Sequence, residues 1–417
     1  MIKSRKLICY VLLPIISAIL GCGLLFLAAL VPESLIFDNC IKSSEEMVAM
    51  GDNSAAIPSF DDFSFYYDNH TDRLIIMEAY TMSGKNPSSI ILNPYYSDPD
   101  DNNIEAFGKL LADEVETNVE YFRYWQGFRI FIRPLLAVTS YFGILELVAI
   151  VFFTLFATTI IFAASKYGKA AAAMFALAVA IFKPAVVAFS LQYASCFLLM
   201  FGFSIFILKR KVSYTKAPFV FCIFGILTQF FDFYTNPPLT YAIPVIFLIM
   251  DEDYSDKRWK TVLKTFGAWI YGYISMWLVK LSLSSFALGE NGFSDGFHSL
   301  KYRLGSNLNP GIETVLDIKN ALVNAWWTGC PGENELLVFL ILAVLIIAAT
   351  FLLLKNKGVS ALVSCGAFLA VALVPVLWTA VAAQPMNIHA WIQHRILLAL
   401  YFGIFMFFVQ AIRECHS

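Results

Sequence analysis

Lys3-Ser-Arg5-Lys6 and the apolar run from Leu7 to Val31, LICYVLLPIISAILGCGLLFLAALV, decide what kind of protein this is. A hydrophobic stretch of about 20 residues crosses the hydrocarbon core of a bilayer as a helix, and basic residues ahead of it hold that end on the cytoplasmic side. A cleavable signal peptide has a shorter apolar core and a small-residue cleavage site. Residues 1–31 are therefore read as a retained signal anchor, with cleavage near Ala28 or Ala29 as the alternative.

The remainder of the 417 residues has the same character. Hydrophobic residues make up 59% and charged residues 14% of the chain, against roughly a quarter charged in soluble domains. Mean hydropathy is +0.68, and several further apolar runs have the length of a membrane span. Aromatics reach 16%, with 39 Phe, a composition suited to lipid-facing and interfacial surfaces. A net charge of −2 gives nucleic acid no footing. The eight cysteines include no CxxC pair, so no metal-like spacing is present. Cys9, Cys22, Cys196, Cys222 and Cys365 sit in apolar runs, whereas Cys40 and Cys330 both fall on the expected outer side and could pair as a disulfide if the fold brings them together.

Residues 32–125 form the one long polar region, expected to be a small α/β-like extracytoplasmic domain between the first and second spans. Asp72 to Tyr80 and Ser88 to Leu92 read as strands or extended pieces between turn-rich stretches. Asn103 to Trp125 shows helical period: Ile104, Phe107, Leu111, Val115, Val119 and Phe122 fall on one face, opposite Glu105, Lys109, Asp113, Glu116 and Glu120. That pattern predicts an amphipathic helix ending the domain and lying against protein or the bilayer surface. Residues 126–417 hold the other expected spans at 142–164, 170–189, 191–208, 217–231, 239–250, 262–283, 335–354, 360–382 and 391–409, with an outer loop at 284–334. The expected fold is an all-α polytopic membrane protein of about ten transmembrane helices.

Charge supports that count. With the N-terminus inside, the inner connections carry Lys166 and Lys169, then Lys209-Arg-Lys211 with Lys216. They continue with Lys257, Arg258, Lys260 and Lys264, then Lys355 and Lys357, and finally Arg413. Every inner connection is basic, as the positive-inside rule demands. The expectation is a multi-pass plasma-membrane protein with both termini cytoplasmic and its site on the extracytoplasmic side.

Against that background the outer cations stand out: Arg123, Arg129, Arg133, Lys183, Lys280, Lys301, Arg303 and Arg395, with His298, His389 and His394. Ionisable groups at membrane depth are costly and tend to mark substrate or ion pathways, and arginine forks suit phosphate oxygens. The segment Arg123-Tyr-Trp-Gln-Gly-Phe-Arg-Ile-Phe-Ile-Arg-Pro-Leu135 concentrates three of them, with Arg129 and Arg133 one helical turn apart. Outer acids are fewer: Glu33, Asp38, Asp72 and Asp232, the last among aromatics in Gln229-Phe-Phe-Asp-Phe-Tyr-Thr235. No GxxxxGK, HExxH or GxSxG motif is present. Asn69-His-Thr71 fits the weak N-glycosylation pattern.

Arg123 to Leu136 resembles a segment that often reads R-Y-W-H-G-Y-x-x-x-x-R-P-L-L in a family of uncharacterised bacterial polytopic membrane proteins. His70-Thr-Asp72, Leu191-Gln-Tyr193, Phe231-Asp-Phe-Tyr-Thr235, Arg303-Leu-Gly305 and Trp391-Ile-Gln-His-Arg395 extend the likeness over most of the chain. Gln126 stands where that family often has His. The layout is similar to that of GT-C glycosyltransferases, which transfer a sugar from a polyprenyl-phosphate carrier on the outer leaflet using an acid in the first outer loop. The acidic pair usual there has no clear counterpart here, Glu33 and Asp38 being spaced apart with Asp72 far behind. The resemblance implies a polyprenyl-phosphate-sugar-dependent glycosyltransferase, with membrane lipid, the lipid-linked sugar and an acceptor glycan as partners.

Asp72 or Asp38 would then deprotonate the acceptor, and Arg129, Arg133, Arg303 and Arg395 would hold the phosphate. Asp232 and His394 would also contact substrate, and Tyr124 and Trp125 would line the sugar or isoprenoid groove. No cofactor is evident, and a divalent cation stays open. Two rival readings are a transporter or flippase of a lipid-linked saccharide, and a non-catalytic subunit of a cell-envelope glycan assembly complex. The first predicts paired broken helices in two repeated halves, and no internal repeat is found.

Overall fold

The structure, a computed structural model, describes residues 2–51, 66–82, 86–97, 104–232, 235–289, 291–303, 312–330 and 334–416. The chain is an all-α polytopic membrane protein with almost no sheet. Among the described residues, six helices are long and apolar enough to cross a membrane: Ile8–Ala29, Tyr141–Tyr167, Leu191–Lys209, Glu335–Asn356, Val359–Val381 and Ala390–His416. Three shorter apolar helices, Lys169–Ile181, Ala217–Phe231 and Leu239–Ile249, fall where further spans are expected. The expected span at 262–283 lies inside the 31-residue helix Arg258–Leu288, which is not one of the six.

Burial separates a centre from a rim. The span Ala390–His416 is 83% buried, whereas Tyr141–Tyr167 and Glu335–Asn356 are each 22% buried and still strongly apolar. Their Ile150, Leu336 and Ile347 are exposed, and apolar side chains facing out along such helices suit lipid chains. Tyr141–Tyr167 turns directly into Lys169–Ile181 through Gly168, whose φ of 90° is open to glycine at no steric cost.

Helices Ala217–Phe231 and Arg258–Leu288 pack backbone to backbone. A Cβ at Gly225 would run into the carbonyl oxygen of Trp269, and one at Gly272 into that of Cys222. Small residues at such crossings let helices approach closely where lipid supplies no hydrophobic driving force. Gly272→Ala is therefore expected to cost about 1–3 kcal/mol through overpacking, measured as a lower thermal midpoint in detergent, with Gly267→Ala, which meets open space, as the neutral control.

The connections fall at two ends. At one, Lys166 pairs with Asp251 at 3.1 Å, Arg258 with Glu414 at 3.0 Å, and Tyr254 Oη donates to the Val212 carbonyl at 2.6 Å. These are the connections assigned to the inner side by charge. At the other end the segment from Glu33 to Trp125 packs over the N-termini of Tyr141–Tyr167 and Leu191–Lys209 and the C-terminal part of Arg258–Leu288.

That segment corrects the α/β expectation. Asp72 to Tyr80 lies in helix Asn69–Tyr80, and Ser88 to Leu92 in helix Pro87–Leu92. Single capping residues decide both: Asp68 accepts from Thr71 N at 3.0 Å, and Asn86 accepts from Ser89 N at 2.8 Å ahead of Pro87, which satisfies helix-start amides. Ile75, Ile76 and Ala79 then bury against Ile36, Cys40 and Phe107. The expected amphipathic helix over 103–125 also fails. Within its described part only Ala106–Leu111 is helical; Asp113 takes φ 58°, and Val119–Glu120 pairs antiparallel with Tyr95–Tyr96. Asp113, Val115, Thr117, Asn118 and Val119 are weak helix formers and outweigh the period. Cys40 and Cys330 are free buried thiols in separate cores, not a disulfide. Asn69 is 1% exposed and donates to the Gly51 carbonyl at 2.7 Å, so its motif offers no glycan site in the folded chain.

A candidate amphiphile site

The two arginines of the Arg129–Leu136 helix are committed to backbone. Arg129 donates to the carbonyls of Ile90 and Ile91 at 3.0 Å each and of Gln126 at 3.2 Å. Arg133 reaches Val31, Ala79 and Tyr80 at 2.7–3.1 Å. The acceptors are the last carbonyls of helices Pro87–Leu92 and Asn69–Tyr80 and the exit from the first span. A cation there satisfies orphan carbonyls and meets the negative end of the helix dipole. Both guanidiniums are almost wholly buried, and neither lines the chamber or the groove described below. The phosphate role expected for them is replaced by stapling of the outer segment to the first span.

Four other expected residues are structural in the same sense. Asp72 is buried at the start of helix Leu191–Lys209, accepting from Leu191 N at 2.9 Å, Gln192 N at 3.0 Å and Tyr141 Oη at 2.9 Å. It caps that helix and cannot also reach an acceptor; burial pushes its carboxyl up to about 7 against the pull of the two amides. Trp125 is fully buried and donates to the Met276 carbonyl at 2.9 Å. Arg395 is buried over the Tyr193 ring at 4.3 Å and donates to the Trp391 carbonyl at 2.7 Å. His394 is buried with Nδ1 3.0 Å from the Ala390 carbonyl. Asp38, by contrast, is exposed on helix Glu33–Met50 and does not line the chamber described below.

Asp232, Arg303 and Tyr124 do meet, in a chamber of about 360 Å³. Its other walls carry Asp68, Glu78, Arg123, Tyr96, Tyr121, Gln126, Gln192, His389 and Gln393. Helix Asn69–Tyr80 presents Thr71, Ile75 and Glu78 to it along one stripe, the i, i+4, i+7 spacing of a helical face. Gln126 enters from a left-handed residue, φ 53°. The rim is held by an Arg123–Asp295 ion pair at 2.9 Å and a Tyr124–Ser299 hydroxyl contact at 3.1 Å. The chamber is thus rich in amides, phenols and carboxyls, the groups that grip sugar hydroxyls.

Electrostatics inside are uneven. Burial pushes the Glu78 carboxyl up to about 8, although Arg129 and Lys280 pull the other way. Burial also lowers His389, so its imidazole stays neutral more readily than usual. Tyr121 is raised by burial and by neighbouring Tyr124.

Beside the chamber runs an apolar groove of about 580 Å³, walled by Tyr241, Phe266, Trp269, Tyr273, Trp277, Phe297 and Trp378. Ile274, Leu278, Phe297, Leu377 and Val381 on its lining are exposed, so the groove reaches the outer surface of the protein between apolar side chains. The two spaces share Tyr124, Ser299, Arg303, Pro385 and Gln393. Arg303, 5.6 Å above the Tyr124 ring, is the cation at that junction. Glu78 and Asp68 carry no signal of their own in the sequence, and Gln192 and Gln393 enter it only as members of the motifs Leu191-Gln-Tyr193 and Trp391-Ile-Gln-His-Arg395. The stripe carrying Glu78 would have been visible only once residues 69–80 were read at helical rather than strand period. Among the described residues no group of three or more His, Cys, Asp or Glu is placed to hold a metal ion. Compared with protein-family models, with curated proteins and with solved structures, the chain matches none of them.

Proposed function

We propose that this chain is a GT-C-like membrane glycosyltransferase of ten spans, taking a sugar from a polyprenyl-phosphate carrier at the outer face of the plasma membrane. The observation that supports this reading is the joining of a polar chamber to an apolar, surface-reaching groove through Arg303. An amphiphile with an anionic link between a polar head and a long apolar tail fits that sequence of surfaces. The chain lies in the groove, the phosphate beside Arg303, and the sugar among the amides and phenols of the chamber. Positive charge held at the phosphate favours its departure as leaving group. The outer location follows from the basic residues on the opposite connections.

The test is to place the purified chain in liposomes with undecaprenyl phosphate carrying a labelled hexose, N-acetylhexosamine or pentose, and octyl glycosides as acceptors. Loss of sugar from one of these carriers, with its appearance on an acceptor, is the expected result. Carrier that changes leaflet without being consumed would instead identify a transporter.

A further inference from the structure

We infer that Glu78 is the group that takes the proton from the acceptor hydroxyl, an assignment that rests on the transferase reading above. Glu78 lines the chamber, is 3% exposed, and has a buried Oε2 with no hydrogen-bond partner. A buried carboxyl left in that state normally costs stability, so a purely structural Glu78 would be expected to find a donor.

Donors are close but directed elsewhere. Arg129 and Lys280 lie within electrostatic range of Glu78, yet Arg129 is engaged with the carbonyls of Ile90, Ile91 and Gln126. Lys280 donates to the Leu92 carbonyl and sits over the Trp125 ring. Both cations favour a negative charge on Glu78, and neither bonds its Oε2. Tyr121 lies within electrostatic range of Glu78, Arg123 and Arg303, and Glu78 and Arg303 line the same chamber. Asp68 caps its own helix through Thr71 N and the Thr71 hydroxyl, leaving Glu78 as the chamber carboxyl of that helix with an unpartnered oxygen.

In the step so defined, the acceptor oxygen bonds to the anomeric carbon as its proton passes to Glu78. The bond from that carbon to the phosphate oxygen breaks, and the phosphate leaves with the electron pair as lipid monophosphate beside Arg303. Charge is conserved: one carboxylate and one phosphodiester anion become a neutral carboxyl and a phosphate dianion. The groups facing Glu78 in this process are Arg129, Lys280 and Tyr121, with Asp68, Asp232, Arg123, Arg303 and His389 on the other chamber walls.

The experiment compares native chain, Glu78→Gln and Glu78→Asp in liposomes with the undecaprenyl-phosphate sugars and octyl glycosides named above, measuring donor binding and turnover separately across pH. Glu78→Gln is expected to lower turnover by about 100-fold or more, the usual scale for a general base, with donor binding within about threefold of native. Native turnover rises as pH climbs toward about 8, because the ionised form is the active one; the rise is absent in Glu78→Gln and partly kept in Glu78→Asp. A Glu78→Gln variant turning over within about threefold of native overturns the assignment while leaving the transferase reading intact. Loss of donor binding in proportion to turnover also overturns it, making Glu78 a donor contact. A native chain that consumes no carrier overturns both.

Discussion

Arg133→Met is expected to leave little folded protein. The side chain would keep its volume, but the carbonyls of Val31, Ala79 and Tyr80 would lose the guanidinium that joins them. Two of those carbonyls close helix Asn69–Tyr80 and the third follows the first span, so the loss is both of hydrogen bonds and of a cation at a helix C-terminus. Leaving buried carbonyls without their donor costs about 1–3 kcal/mol for each one orphaned. Arg133→Lys should restore only part of it, because one ammonium cannot copy a planar fork that spans three acceptors. The readout is the fraction of monodisperse protein in detergent and its thermal midpoint. A Met variant as stable as native would show that the outer segment is held by something else.

Arg303→Gln is expected to act in the opposite way, with folding kept and donor handling lost. Arg303 is only partly buried at the chamber–groove junction. Removing its charge from beside a leaving phosphate should lower turnover by roughly 10²-fold, the scale found for deleting one preorganised donor at a developing anion. Arg303→Lys should fall between the two, keeping charge and losing the fork and the stacking over Tyr124. An equal drop in thermal stability for Arg303→Gln and Arg133→Met would assign both residues to the scaffold.

These contrasting expectations for two outer arginines explain what could be read from residues alone. The spans at Ile8–Ala29, Tyr141–Tyr167 and Glu335–Asn356 are legible because hydropathy is local and needs no partner. The grouping of connections at two ends is legible because Lys166, Arg258 and their neighbours carry a side preference of their own. Arg129 and Arg133 were correctly placed on one helical face, but whether that face meets phosphate or carbonyl oxygens depends on segments some 40–100 residues away. Leu74-Ile-Ile76 and Ile90-Ile91 look strand-like, and the single caps Asp68 and Asn86 overrule them. That misreading of period hid Glu78, which joins the chamber only as part of a helical stripe. Asp72, singled out as an acid of the first outer loop, instead holds the start of a helix laid down about 120 residues later.

Photolabelling tests the central claim most directly. Native chain in nanodiscs would be irradiated with an undecaprenyl-phosphate sugar carrying a diazirine on its prenyl chain, and the labelled peptides mapped by mass spectrometry. The account predicts adducts on the groove, at Trp277, Phe297 or Trp378, competed by unlabelled carrier and weakened in Arg303→Gln. Adducts confined to the separate apolar cavity lined by Trp326, Phe339 and Leu400, or spread over the lipid-facing rim without competition, would contradict it.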